Sequence, residues 1–152
     1  MREILFRGKR QDNNVWVYGY YYATRNNTND PIDVHRIVYE CKGDSCVIDV
    51  IPETVGQFTG LLDKNGNKIF EGDIVEALIN QNSTKYIGNH VNSLRYKMVI
   101  EYHHYGMFTF KNLTEKRLHS YNFLSIEYGH PRLHKDTIEI IGNIHQSLTP
   151  NK

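Results

Sequence analysis

The chain has 152 residues, with 18 Lys+Arg against 17 Asp+Glu, 39% hydrophobic and 12% aromatic. That length suits one domain, or two small ones sharing a core, and buries roughly two thirds of the unfolded surface without a covalent staple. The cancelled charge excludes an overall basic field that would pull in nucleic acid, and leaves only local patches.

Alanine occurs twice, as Ala23 and Ala77, while Val, Ile, Thr and Tyr fill the apolar runs. Strands prefer such residues and helical bundles do not. The apolar core of "MREILFRGKR" is too short for a signal peptide or a membrane span, and no later window approaches the ~18 apolar residues that a span needs. A soluble, cytoplasmic protein with no membrane partner is expected.

In chain order, residues 2–7 alternate and read as a strand, and "KRQDNN" (9–14) is a polar turn. "VWVYGYYY" (15–22) is a strong strand of period two. One face carries Trp16, Tyr18, Tyr20 and Tyr22, the other Val15, Val17, Gly19 and Tyr21. Residues 23–31 form an Asn-rich loop. "IDVHRIVYEC" and "CVIDVI" are two short strands about a turn at "KGDS", which Cys41 and Cys46 flank. A single C-x4-C is half a zinc site, so two reduced thiols beside a hairpin turn are expected, with no metal and no cofactor.

Asn65-Gly66 signals a hairpin. Either both residues form a type I′ turn, or Gly66 takes the left-handed position of a bulged loop. Residues 68–70 return as a strand, Gly72 allows a bend, and "DIVEALI" (73–79) runs on. Val75, Ala77 and Ile79 make its apolar face, and Ile74, Glu76 and Leu78 a mixed one. Residues 80–96 are polar and aperiodic, and read as a long loop. "KMVIEYHHYGMFTF" (97–110) is a hairpin around His104-Tyr105-Gly106, with Phe108 and Phe110 sharing a face. Residues 118–129 fit a short helix or a strand. Residues 136–144 read as a final strand broken by Gly142, and the tail frays. The whole is mainly β, with short antiparallel strands in a small barrel or packed sheets.

Two features invite chemistry. Glu71 and Asp73 are carboxylates two apart, but no comparable acidic pair completes a metal site. The simpler reading makes Gly66, Gly72 and Asp73 turn residues, with Asp73 accepting backbone N–H bonds. The aromatic stripe from Trp16 to Tyr22 spans about 20 Å at ~3.3 Å per residue. Exposed, it is a stacking platform; buried, it is core packing. Partial burial is the expectation. The candidate binding set is Trp16, Tyr18, Tyr20 and Tyr22, with Arg7 and Arg25 nearby and Lys85 and Tyr86 from the polar loop. His103 and His104 are adjacent, so on a strand they face opposite ways. No nucleophile elbow, phosphate loop or dinucleotide fingerprint occurs.

Four segments, "MREILFRGK", "WVYGYY", "IPETVGQFTGLLDKNGNKIFEGDIVE" and "IEIIGNI", stand in an order that resembles the YopX-like family of phage and prophage proteins. The resemblance spans nearly the whole chain. It implies an SH3-type small barrel in the C-terminal part (60–152); with the β-rich N-terminal part (1–59) this is expected to make one compact unit, in the cytoplasm of a bacterial host. It implies no established activity, so no catalytic residues carry over. The chain departs from shorter members at 80–96, where its loop is expanded. A non-enzymatic accessory protein that binds a macromolecule is therefore expected. The near-zero net charge places a host or phage protein ahead of nucleic acid as partner. The alternatives are an enzyme acting on a small molecule or nucleotide with His and Glu/Asp in an inter-sheet cleft, and a self-associating structural subunit.

Overall fold

Pairing decides which of these apolar runs become strands, and where each one stops. A computed structural model describes residues 3–25, 34–80, 93–103, 106–113, 121–122 and 135–146. Its described elements are almost all strands in antiparallel pairs, so the protein is mainly β. The chain divides into two compact units, Met1–Gly60 and Leu61–Lys152.

The first unit contains β1 (Phe6–Lys9), β2 (Trp16–Thr24), β3 (Val34–Cys41), β4 (Asp44–Asp49) and most of β5 (Gly56–Leu62), with a short 3-10 turn at Pro52–Thr54. Within it the strands lie in the order β4-β3-β2-β1-β5. The first strand occupies 6–9 rather than 2–7, because Phe6 to Lys9 are the residues that pair with Gly19 to Trp16. β2 runs past Tyr22 because Ala23 and Thr24 still find His35 and Val34 across β3. Val17, Ile37 and Val50 form the buried core, and Tyr21, Ile48 and Val55 pack against it. The loop that follows β2 on the sequence reading falls mostly on residues 26–33, outside the described residues.

The hairpin joining β3 to β4 turns on Lys42 (φ 51°) and Gly43 (φ 89°). Two successive left-handed residues make a type I′ turn, whose twist matches that of the strands. Cys41 and Cys46 are joined in a disulfide across this hairpin, with Cα atoms 5.8 Å apart, which corrects the expectation of two reduced thiols. The geometry follows from the register: Cys46 lies opposite Tyr39, so it is the diagonal neighbour of Cys41 on the same face.

The second unit contains β6 (Lys68–Phe70), β7 (Asp73–Asn80), β8 (Ser93–His103), β9 (Met107–Asn112), β10 (Tyr121–Asn122) and β11 (Glu139–Asn143). Five of them form a sheet in the order β10-β9-β8-β7-β11. No pairing among the described residues closes β10 onto β11, so among them the sheet is open and the SH3-type barrel that the resemblance implies is not seen. Its core gathers Ile69, Val75, Ala77, Tyr96, Met98, Ile100, Phe108, Phe110 and Ile138, with Leu61 and Ile140 packed against them. At ~1.5–3 kcal/mol for each large apolar side chain, burial of this set is what holds the sheet together.

Three boundaries in this unit differ from the sequence reading. β8 starts at Ser93, so "SLRY" belongs to a strand and not to the loop, because Tyr96 pairs with Ala77 and is buried. Only residues 81–92 of that loop remain, and they lie outside the described residues. The last strand starts at Glu139; Lys135–Thr137 form a 3-10 turn instead, where the Thr137 hydroxyl accepts the Leu78 N–H at 3.0 Å. Tyr121–Asn122 is a two-residue strand, and the rest of 118–129 lies outside the described residues. Gly142 marks a register shift in the β7–β11 pairing.

Candidate functional site

The aromatic strand is the place where sequence pattern and structure meet most directly. Period two sends alternate β2 side chains to opposite faces of the sheet. Val17, Gly19 and Tyr21 turn to the core side. A Cβ at Gly19 would lie 2.0 Å from the Val38 carbonyl oxygen, so β2 and β3 approach there as only glycine permits. Tyr18, Tyr20 and Tyr22 point the other way and are 49%, 71% and 39% exposed. Partial burial therefore holds for Trp16 alone in the stripe. The reason is that the small core of this unit lies on one side of its sheet, and alternation commits the tyrosines to the other.

Register carries this face across three strands. The middle row is Tyr20, Val38 and Val47, and Val47 at the sheet edge is 52% exposed. On one side lies a polar row of Tyr22, Arg36 and Asp49. Arg36 Nε donates to Asp49 Oδ1 at 2.7 Å. Hydrogen bonds to Asp49 and then Tyr22 hold the Arg36 guanidinium above its usual range. On the other side Glu40 and Ser45 face each other. An apolar centre within a charged and polar rim is thus laid out on one open surface.

The cations around this face are engaged. The Arg7 guanidinium sits 4.7 Å from the Trp16 ring centroid and Lys9 Nζ 5.4 Å from it, within the range of cation–π attraction. Arg10 grips Asp12 through two bonds of 2.9 and 2.6 Å. That pairing holds the Asp12 carboxyl below its usual range. Arg25 is exposed just beyond the end of β2. Lys85 and Tyr86 lie outside the described residues.

The turn residues belong to the second unit. Gly66 has φ 84° and its N–H donates to the Asp63 carbonyl, while Asp63 N–H donates to the Asn67 carbonyl. Asn65 is not left-handed, so the loop is the bulged form and not type I′. Gly72 has φ 81°. Asp73 is 1% exposed and accepts from Phe70 N–H at 2.8 Å and Asn143 Nδ2 at 3.2 Å.

Glu71 Oε1 accepts the Tyr102 N–H at 3.4 Å, and Lys111 Nζ donates to Glu101 at 3.0 Å. His103 ends β8, and His104, His130 and His134 lie outside the described residues. Among the described residues no cluster of three or more His, Cys, Asp or Glu could hold a metal ion, and no helix is long and apolar enough to cross a membrane.

Sequence reasoning misses Val38, Val47, Arg36 and Asp49 as parts of this surface. Each stands at an alternating position of its own strand, but only the β2–β3–β4 register aligns them with the tyrosines.

No curated protein matches the chain. Among solved structures, it resembles that of protein EF1440 from Enterococcus faecalis, at 23% identity over 95% of each chain and a TM-score of 0.46. A likeness at that level carries no inference about function. The family model described as YopX protein matches residues 5–149, nearly the whole length. This chain belongs to the YopX protein family.

Proposed function

We propose that this protein is a non-enzymatic phage or prophage accessory protein that acts in the cytoplasm of its bacterial host, binding a host or phage protein through the outer face of β2, β3 and β4. The observation that supports this reading is the row Tyr20–Val38–Val47, exposed at both ends and flanked by Tyr22–Arg36–Asp49. Exposed tyrosines around an apolar centre with a charged rim match the anatomy of protein interfaces, where Tyr and Arg supply most hot spots. A protein partner is favoured over nucleic acid because Arg10 and Arg36 are bound to carboxylates and Arg7 and Lys9 to an indole. A phosphate backbone needs cations that it can neutralise without displacing such partners.

The test is affinity capture from induced or infected cells with the wild type, the Tyr18→Ser/Tyr20→Ser double variant, and Leu62→Ser as an exposed control in the second unit. The double variant is expected to lose a specific protein partner by at least about tenfold, the control to keep it. Equal capture by all three would overturn the reading. Salt-dependent binding of single-stranded DNA or RNA by the wild type, lost in the double variant, would replace it with the nucleic-acid version.

A further inference from the structure

The two ends of β4 are held in different ways. At Asp49 and Val50 the chain is pinned from several sides. Gln11 N–H donates to the Asp49 carbonyl at 3.1 Å, Gln11 Nε2 to the Val50 carbonyl at 3.2 Å, and Val50 N–H to the His35 carbonyl at 2.9 Å. At Asp44 and Cys46, among the described residues, the pairing with β3 and the Cys41–Cys46 bridge hold the strand. Alternation puts both cysteines on the face of Ile37 and Ile48, beyond the end of the buried core, which neither joins. Both are half-buried, and Glu40, Lys42, Gly43, Asp44 and Ser45 around them are exposed, so the bridge lies at a rim open to solvent. The hairpin also has its own means of holding the pair. The type I′ turn at Lys42-Gly43 and the unbroken register from Asp49 to Asp44 set the two Cα atoms 5.8 Å apart, inside the ~4.4–6.8 Å that a disulfide needs. A ring of six residues restricts the unfolded chain only modestly, so the sheet can lose the bond and keep its strands.

We propose that Cys41 and Cys46 form a reversible redox site, opened and re-formed by exchange with a small thiol of the glutathione class, and that its state sets how firmly the turn end of β4 is held. The thiolate of the reductant attacks one sulfur, the S–S bond of the bridge breaks, and the other sulfur leaves as a thiolate and takes a proton. A second thiol then attacks the mixed disulfide and frees the remaining cysteine. Two thiols become one disulfide, while the cysteine pair gains two electrons and two protons. Solvent-exposed bridges are the labile ones, and those in a thiol-rich cytoplasm are mostly redox-sensing or catalytic. The turn and register keep the reduced thiols close, which favours closing the bond again. Val47 follows Cys46 directly and stands on the opposite face, in the row with Val38 and Tyr20. Loosening that end therefore disturbs the row from behind, with no group entering it. This link to binding rests on the face proposed above; the redox site itself does not.

The 15N-labelled full chain is equilibrated with reduced and oxidised glutathione at a cytosolic ratio, then blocked with iodoacetamide and weighed. Two added alkyl groups are expected, with β-sheet circular dichroism unchanged before blocking. Amide exchange at Tyr39 and Cys46 in the reduced chain is expected to quicken about thirtyfold, the factor that the entropy of a six-residue ring gives, with Ile100 of the second sheet unmoved. Oxidised glutathione is expected to restore the slow rate. Cys41→Ser/Cys46→Ser is expected to exchange fast whatever the glutathione ratio, and Cys41→Ala/Cys46→Ala serves in the same way should it unfold. A bridge that survives the cytosolic ratio, a loss of sheet on reduction, or exchange that ignores the redox state overturns the inference. Partner capture that is lost in Tyr18→Ser/Tyr20→Ser but equal in both redox states keeps the binding face and rejects its control by the bridge. Capture kept in Tyr18→Ser/Tyr20→Ser, with exchange still answering to glutathione, rejects the binding face and keeps the redox site.

Discussion

Glycines at 19 and 66 look alike in the sequence and differ in what they do. At Gly66 a Cβ would meet nothing within 4 Å, and only the left-handed backbone resists substitution. Gly66→Ala is expected to cost about 1 kcal/mol. At Gly19 the obstacle is a backbone oxygen 2.0 Å away, which cannot yield without parting β2 from β3. Gly19→Ala is expected to cost about 3 kcal/mol or more, and chemical denaturation of the two variants side by side measures the contrast. Asp63 makes a different residue-scale case. Burial pushes its carboxyl up, but the Asn67 N–H and side chain, the Asn65 N–H and the Ile140 N–H together hold it below its ordinary range. A carboxyl depressed in the fold stabilises fully above its unfolded value of about 3.9, and that contribution disappears as pH falls through the folded value. Asp63→Ala is therefore expected to cost about 1–3 kcal/mol at neutral pH. The difference from wild type should shrink toward about pH 2, as urea melts at the two pH values would report.

At the scale of elements, the hairpin of β3 and β4 is the one whose state depends on redox conditions. The Cys41–Cys46 bridge closes a ring of six residues. Chain entropy puts its contribution at about 2 kcal/mol. Reduction, or Cys41→Ser with Cys46→Ser, is expected to lower the stability of the first unit by that amount, read from the denaturation midpoint with and without reductant. The turn shows why this pairing was not legible. "KGDS" announces a turn, but a type I′ turn at Lys42-Gly43 had to be seen before Cys46 could be placed diagonally to Cys41. β8 makes the same point. "SLRY" carries too few apolar residues to read as a strand alone, and Tyr96 is buried because Ala77 across the pair leaves room for it. Where a strand announces itself by strong alternation, as at 16–24 and 73–80, its existence could be read directly, and its ends shifted by no more than two residues.

For the whole molecule, the two cores carry different loads. Among the described residues the second gathers nine buried side chains, and Phe110 at 0% exposure is the largest of those fully buried. Phe110→Ala is expected to cost about 3–5 kcal/mol, lowering the thermal midpoint. The tyrosines of the first unit are expected to do the opposite: Tyr18→Ser and Tyr20→Ser should stay within about 0.5–1 kcal/mol of wild type while losing the proposed partner. Stability and binding are thus expected to separate along the chain. The sequence by itself determined that the protein is mainly β, which family it belongs to, and which strand faces are apolar, because alternation and turn chemistry are local properties of a few residues. Only the tertiary structure decided that the second sheet stays open among the described residues, that the cysteines are bridged, and that the tyrosine face looks outward beside Val38, Val47 and Arg36. Those outcomes depend on register between distant strands and on which side of a sheet the core forms, and neither is written in any one strand.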